Sequence, residues 1–256
     1  MPTTTTLLLL RHGETEANAA GVLQGQSESR LTARGRSQAA ALGAALAQRL
    51  RGSDGLTPIV YASDLSRASD TAQAVADALG GESRVATDPR LRERRLGPFQ
   101  GIPTVDCARK FPRTWAAFNS GALDHGTPPK NLDKGADANG GVESSDEMRE
   151  RCKAALEEIR LNHLGKTTLA VSHGGMIHTA CMCYLDPKQE LMIPHIGNCT
   201  VTTLIADSDG GTWRVATGPW MMKVRSASWS GTAARTASTR SLGENTAGAG
   251  RGSARP

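Results

Sequence analysis

The chain has 256 residues, enough for one large α/β domain or two small ones with a core that needs no disulfide or metal staple. Thirty basic residues against twenty-five acidic leave a net charge of +5, but residues 221–256 hold six basic side chains and one acidic and so carry the whole excess. The remainder is neutral, which argues against a nucleic-acid binder, and no run approaches the roughly 18 apolar residues of a membrane helix.

Taken in chain order, Thr6 to Leu10 reads as a short buried strand. Thr32 caps a helix whose Leu42, Leu46 and Leu50 share a face with Ala39, and Gly52 and Gly55 stop it. Pro58 to Ala62 is a second strand. A second helix follows, with Leu65, Ala68, Ala72, Val75, Ala76 and Leu79 on one face and Gly80-Gly81 at its end, and then a brief strand from Arg84 to Thr87. Residues 97–142 break the alternation: they are rich in Gly, Pro and Asn, yet Phe99, Phe111, Trp115 and Phe118 make up four of the nine aromatics. This stretch reads as a lid insertion with irregular loops, and Phe111, Trp115 and Phe118 are at helix-like spacing, which packs it onto the domain. Ser144 and Glu147 form a capping-box pair for a helix with Met148, Cys152, Ala155 and Ile159 facing inward. Thr167 to Val171 is a fourth strand, a helix starts near Gly174, and Thr200–Ala206 with Thr212–Ala216 finish the sheet. The alternation predicts an α/β domain over residues 1–220, with a central, mostly parallel sheet and helices on both faces. Residues 221–256 are too poor in apolar side chains to offset their ordering entropy and are expected to be disordered.

Five cysteines, Cys107, Cys152, Cys181, Cys183 and Cys199, are odd in number and show no CxxC or zinc-finger spacing. A reduced, cytoplasmic chain is expected, since the N-terminus has no basic region before its four leucines and does not read as a signal peptide. Cys181, Cys183 and the nearby methionines Met176, Met182 and Met192 read as core filling. His125, His163, His178 and His195 are scattered without partners, and no metal or other cofactor is expected. The chain is expected to be a monomer or a homodimer.

Two histidines sit at the carboxyl ends of strands, His12 in Leu10-Arg11-His12-Gly13 and His173 in Val171-Ser172-His173-Gly174, the edge at which open α/β sheets bind ligands. A lone histidine there is more often a structural hydrogen bonder; two, each followed by glycine, shift the balance. Neutral imidazole is a competent nucleophile near pH 7, and phosphorus is a natural electrophile for it. Phosphoryl oxygens stay negative throughout transfer, so such a site needs guanidinium, imidazole or backbone N–H donors, and Arg11 and Arg67 can point at the same edge. A leaving alkoxide needs a proton, for which Glu93, shortly after the third strand, is the candidate. Lys110, Lys130, Lys134, Arg109 and Arg113 in the insertion offer cations for a second anionic group, though as solvated charges they need no such role. In the tail, Arg225-Ser226-Ala227-Ser228 and Arg235-Thr236-Ala237-Ser238 have spacings that a basic-directed kinase uses.

Together these segments resemble the histidine phosphatase superfamily, in the branch with cofactor-dependent phosphoglycerate mutases and fructose-2,6-bisphosphatases. The likeness covers nearly all of residues 5–217. It runs from Leu10-Arg11-His12-Gly13-Glu14-Thr15 with Asn18, through Gln24-Gly25-Gln26, Leu31-Thr32 and Ala62-Ser63-Asp64-Leu65 with Arg67, to Leu91-Arg92-Glu93 with Gly97. Gly141-Val142-Glu143-Ser144 with Arg151, Val171-Ser172-His173-Gly174-Gly175 and Asn198-Cys199-Thr200 close the series. The resemblance implies a phosphoglycerate mutase-like fold, with His12 as the nucleophile that becomes a phosphohistidine. It implies that Arg11, Arg67 and His173 hold phosphoryl oxygens, that Glu93 is proton donor and then base, and that Asn18 and the Gly174 N–H add hydrogen bonds. Gln24 and Gly25 would lie at the pocket wall.

The family's mutases follow that glutamate with Arg-His-Tyr-Gly and then an Asn-Lys pair, which help retain phosphoglycerate. Here the segment is Glu93-Arg94-Arg95-Leu96-Gly97, with neither the tyrosine nor the lysine. The expected activity is therefore metal-independent hydrolysis of a phosphomonoester on a small phosphorylated metabolite such as a sugar phosphate. A phosphoglycerate mutase, and a catalytically weak scaffold of the same fold, are the alternatives. Gly141-Val142-Glu143-Ser144 carries one residue more than the family's common Gly-Glu-Ser.

Overall fold

Leu7 to Leu10 form the heart of strand β1 (Thr4–Arg11), and none of the four is more than 6% exposed. A strand apolar at every position must be covered on both faces, because successive side chains point to opposite sides. Leu8 and Leu10 face one core cluster, with Leu42 and Leu46 of helix α2 (Ala33–Arg49) and Ala68, Ala72 and Val75 of α3 (Ser66–Leu79). Leu7 and Leu9 face the other, with Met148, Cys152 and Leu156 of α6 (Ser145–Asn162) and Met176 and Ile177 of α7 (Gly174–Tyr184). Replacing one of these leucines by alanine removes about 2–5 kcal/mol of stability.

The computed structural model describes residues 4–52, 55–124, 132–185, 196–207 and 211–216. Their six strands, β1, β2 (Leu56–Ala62), β3 (Arg84–Thr87), β4 (Thr167–Ser172), β5 (Val201–Asp207) and β6 (Arg214–Val215), pair in the order β3-β2-β4-β1-β5-β6. The β3-β2-β4-β1 block is parallel, whereas β5 runs antiparallel to β1 and β6 antiparallel to β5. The sheet is thus mostly parallel, with helices on both faces. Residues 221–256 with their Arg-Ser and Arg-Thr spacings, and His125, Lys130, Met192 and His195, lie outside the described residues. Among the described residues no helix is long and apolar enough to cross a membrane.

The expected caps form: the Thr32 side chain accepts from the Gly35 N–H, and Ser144 with Glu147 closes a full capping box. The segment read as a lid is more regular than expected: it contains two helices, α4 (Thr104–Lys110) and α5 (Pro112–Asn119), the second in line with the helix-like spacing of Phe111, Trp115 and Phe118, and both opened by proline, which reads as a breaker in sequence. Its aromatics pack around the buried Phe99, with the rings of Phe111, Trp115 and Phe118 at 6.1, 5.1 and 5.7 Å between centroids. Cys107, Cys152, Cys181 and Cys199 are buried free thiols, and Cys183 is half-buried.

A short helix, α1 (Glu16–Ala19), follows the end of β1, and the loop before it rests on α2 with no side chain between. A Cβ on Gly13 would meet the Gly35 carbonyl, and a Cβ on Gly35 would collide with the Glu14 carbonyl oxygen. Gly13 therefore serves this backbone contact. In an ordinary helix Gly→Ala gains about 1 kcal/mol. Gly35→Ala should instead cost about 1–3 kcal/mol of stability in denaturant melts, as overpacking does; an unchanged or raised midpoint would show that the loop yields.

Candidate active site

The strand register brings the two histidines together. Arg11 pairs with Ser172 at the parallel ends of β1 and β4, so His12 and His173 leave adjacent strands at one level. Their ring centroids are 5.1 Å apart with the planes tilted by 59°. On the other side of β4, Ala62 ends β2 opposite Val171, and the Ser63 N–H donates to the Val171 carbonyl at 2.9 Å. That turn starts α3, whose first turn delivers Arg67. This guanidinium is 1% exposed: Nε donates to His173 Nδ1 at 3.2 Å, Nη1 to the Ser27 carbonyl at 2.8 Å and Nη2 to the Gly25 carbonyl at 2.7 Å. Gly25 can present its carbonyl because it sits at φ +53° against the Gln100 side chain, where a Cβ would collide.

These contacts set the state of each imidazole. His12 Nδ1 lies 2.7 Å from its neighbour Gly13's carbonyl oxygen, which can only accept, so Nδ1 carries the proton and Nε2 keeps its lone pair. His173 is the reverse: Nδ1 accepts from Arg67, so its proton is on Nε2, and that buried Nε2 has no partner. Burial first, then Arg67 and Arg11, draws His12 down from 6.5 to about 3. Burial, followed by His12 and the two arginines, holds His173 well below its usual value. Burial also lowers Arg67, to about 10, which still leaves a cation at neutral pH.

Arg11 donates through Nη1 to the Ile196 carbonyl at 2.7 Å, while its buried Nε is unpartnered. Gln24 is 9% exposed and its Oε1 is likewise unpartnered. Among the described residues, Arg11 Nε, Gln24 Oε1 and His173 Nε2 are the buried side-chain nitrogen and oxygen atoms without a hydrogen-bond partner. Such vacancies are rare in folded proteins and mark sites completed by a ligand. The Glu93 carboxylate accepts from the Arg94 N–H at 2.8 Å and the Gly175 N–H at 3.0 Å, beside the start of α7. A Cβ on Gly175 would strike that carboxylate, so glycine there leaves room for it, whereas one on Gly174 would make only ordinary contact with Arg11 Nε at 3.6 Å.

Asn18 Oδ1 is occupied, accepting from the Thr15 N–H at 3.2 Å and from Asn198 Nδ2 at 3.2 Å, so only its amino group is left for an anion. Sequence reading did not single out Asn198 or Thr71 as parts of the site. Asn198 Nδ2 also donates to the His12 carbonyl at 3.0 Å, and Thr71 Oγ1 links the Gly13 N–H at 3.1 Å to the Arg67 carbonyl at 2.7 Å. Both brace the His12 backbone by hydrogen bonds over long sequence separations, which no local pattern signals. Of the insertion's cations, Arg109 pairs with Asp106, and Lys110, Arg113 and Lys134 are exposed. His163 bonds to Tyr61 Oη at 3.0 Å, and His178 is exposed. Among the described residues no group of three or more His, Cys, Asp or Glu side chains could hold a metal ion.

The sequence model of the histidine phosphatase superfamily, branch 1, matches residues 7–217, and the chain belongs to that family. It is 39% identical over 173 residues to a metal-independent phosphoserine phosphatase of Arabidopsis thaliana, covering 68% of this chain and 66% of that relative. It is 38% identical over 168 residues to a probable phosphoglycerate mutase of Yersinia enterocolitica, covering 66% of this chain and 69% of the relative. Among solved structures, a mycobacterial glucosyl-3-phosphoglycerate phosphatase in complex with VO3 superposes with a TM-score of 0.65 at 26% identity, over 83% of this chain and 98% of that one.

The depressed imidazoles make stability pH-dependent. Unfolded histidine protonates near 6.5, but folded His12 does not until about 3, so below 6.5 the unfolded chain binds more protons and stability falls with pH. Each ring costs at most about 1.4 kcal/mol per pH unit in that window. His12→Asn should therefore lose about 2 kcal/mol less than the parent between pH 7 and pH 5 in denaturant melts. Equal losses would mean that folded His12 takes up its proton over the same pH range as the unfolded residue.

Proposed function

We propose that this protein is a metal-independent phosphomonoester hydrolase that works through a covalent phosphohistidine. The observation that carries the reading is the complementary pair of ring states: a nucleophilic lone pair on Nε2 of His12, whose ring lies 5.1 Å from that of His173 between centroids, and an unpartnered N–H on the buried His173 Nε2. His12 Nε2 attacks phosphorus as the bond to the alkoxide oxygen breaks, and the Glu93 carboxyl gives its proton to that oxygen. Water then attacks the phosphohistidine, its proton passes to Glu93, the N–P bond breaks and inorganic phosphate leaves. Arg11, Arg67, His173 Nε2–H, the Asn18 amino group and the Gly174 N–H meet the charge on the peripheral oxygens, in a cavity where such donors are already fixed. The helix dipole of α7 adds to the Gly174 contribution.

The substrate is a small phosphorylated metabolite such as a sugar phosphate, with Gln24 and Gly25 at the wall of its pocket. The missing tyrosine and lysine after Glu93 favour hydrolysis over mutase action. The complete set of reacting groups favours an enzyme over a scaffold of the same fold. Five unpaired thiols support a reducing, cytoplasmic setting.

A panel of sugar phosphates, O-phosphoserine, phosphoglycerates and nucleotides, assayed for released phosphate, tests this. The parent should release phosphate and trap an acid-labile phosphoryl label on His12; His12→Ala should do neither. Glu93→Gln should slow turnover of alkyl esters by about 10²–10⁴-fold. Isomerised phosphoglycerate without phosphate release would replace this reading with the mutase, and no label with any ester would leave only the scaffold.

A further inference from the structure

Glu93 stands on irregular backbone, after the 3-10 turn Pro89–Leu91, where no strand ladder or helix fixes it. Gln26 Nε2 donates to the Glu93 carbonyl at 3.0 Å and Ser172 Oγ to the Leu91 carbonyl at 2.7 Å, but most of the hydrogen bonds to the backbone around Glu93 come from Arg151 on α6. Its Nη1 donates to the carbonyl oxygens of Arg90 at 2.8 Å and Arg92 at 2.7 Å. Its Nη2 donates to the Glu93 carbonyl at 3.0 Å and to Glu143 Oε2 at 2.8 Å, and Nε donates to Glu143 Oε1 at 2.6 Å. All five N–H donors of the guanidinium are thereby used. Glu143, buried at 4% exposure, extends the clasp: Oε2 also accepts the Arg95 N–H at 3.0 Å, and the Glu143 N–H donates to the Arg95 carbonyl at 2.8 Å. One ion pair thus fixes the backbone on both sides of Glu93, including Arg94, whose N–H orients the Glu93 carboxylate.

We propose that Arg151 and Glu143 are a positioning pair that aims the Glu93 carboxyl at the leaving-group oxygen. This rests on the role given to Glu93 above. The pair's donors and acceptors are spent on protein groups, so it acts through Glu93 and not on the substrate. Lysine keeps the charge near His173 but presents three donors from a single atom, and cannot span three carbonyls and a carboxylate in one plane.

The test separates esters by their need for an acid. An alkyl phosphate requires protonation of its leaving oxygen, whereas p-nitrophenyl phosphate, with a stable phenolate, does not, and kcat/KM reports the step that forms the phosphohistidine. Arg151→Lys should lower kcat/KM about 10–100-fold for the best alkyl ester of the panel, as partial loss of a general acid does, and less than about 3-fold for p-nitrophenyl phosphate. In a Glu93→Gln background the same change should add less than about 3-fold for the alkyl ester, because the group being aimed is already gone. Equal losses on both esters, or a full additional loss beside Glu93→Gln, would overturn the proposal in favour of a purely structural pair. Circular dichroism melts establish that each variant folds; if Arg151→Lys does not, Glu143→Gln carries the same comparison, and failure of both to fold also overturns it. If the parent hydrolyses neither ester, it is the functional reading that fails.

Discussion

The site depends on a buried cation that is held without an ion pair to a carboxylate. Arg67 is removed from water and receives in exchange two carbonyl oxygens and one imidazole nitrogen. Neutral acceptors satisfy its hydrogen bonds, its charge is offset only by the Glu93 and Glu28 carboxylates, with which it makes no ion pair, and its Nε–H fixes which ring nitrogen of His173 bears a proton. Its charge also disfavours protonation of His12, with burial as the larger cause. Under the function proposed above, a phosphate group would supply acceptors for the unpartnered Arg11 Nε and His173 Nε2 donors.

The fold meets this constraint at small conformational cost. Three parallel strands, β2, β4 and β1, end at one level, so groups from distant parts of the chain converge with few loop residues between strand and side chain. Glycine is needed where backbones must touch, as at Gly13 and Gly35, and at Gly25, where the chain must turn its carbonyl toward a guanidinium. Precision comes from the strands, and the loops only complete it.

Much of this was legible in the sequence. The buried run before His12, the helix faces between Thr32 and Leu79 and the Ser144 capping box are short-range patterns, and each appears where the letters indicate. His12, His173, Arg11 and Arg67 could be grouped because strand ends in parallel sheets share an edge. The helix-like spacing of Phe111, Trp115 and Phe118 pointed to α5, whereas α4 was hidden because seven residues hold barely two turns and because a preceding proline reads as an interruption. Arg151 could be noticed as part of a motif, but what it grips is backbone carbonyls some 60 residues away, and carbonyls have no signature in sequence. Asn198 and Thr71 also fall in the motif segments, but their bracing of the His12 backbone had no signature for the same reason.

Phe99 and its three ring neighbours form a cluster that belongs to neither of the two cores on the sheet. Substitutions in α4 and α5 can therefore repack that cluster while the side chains carried by the strand ends keep their supports.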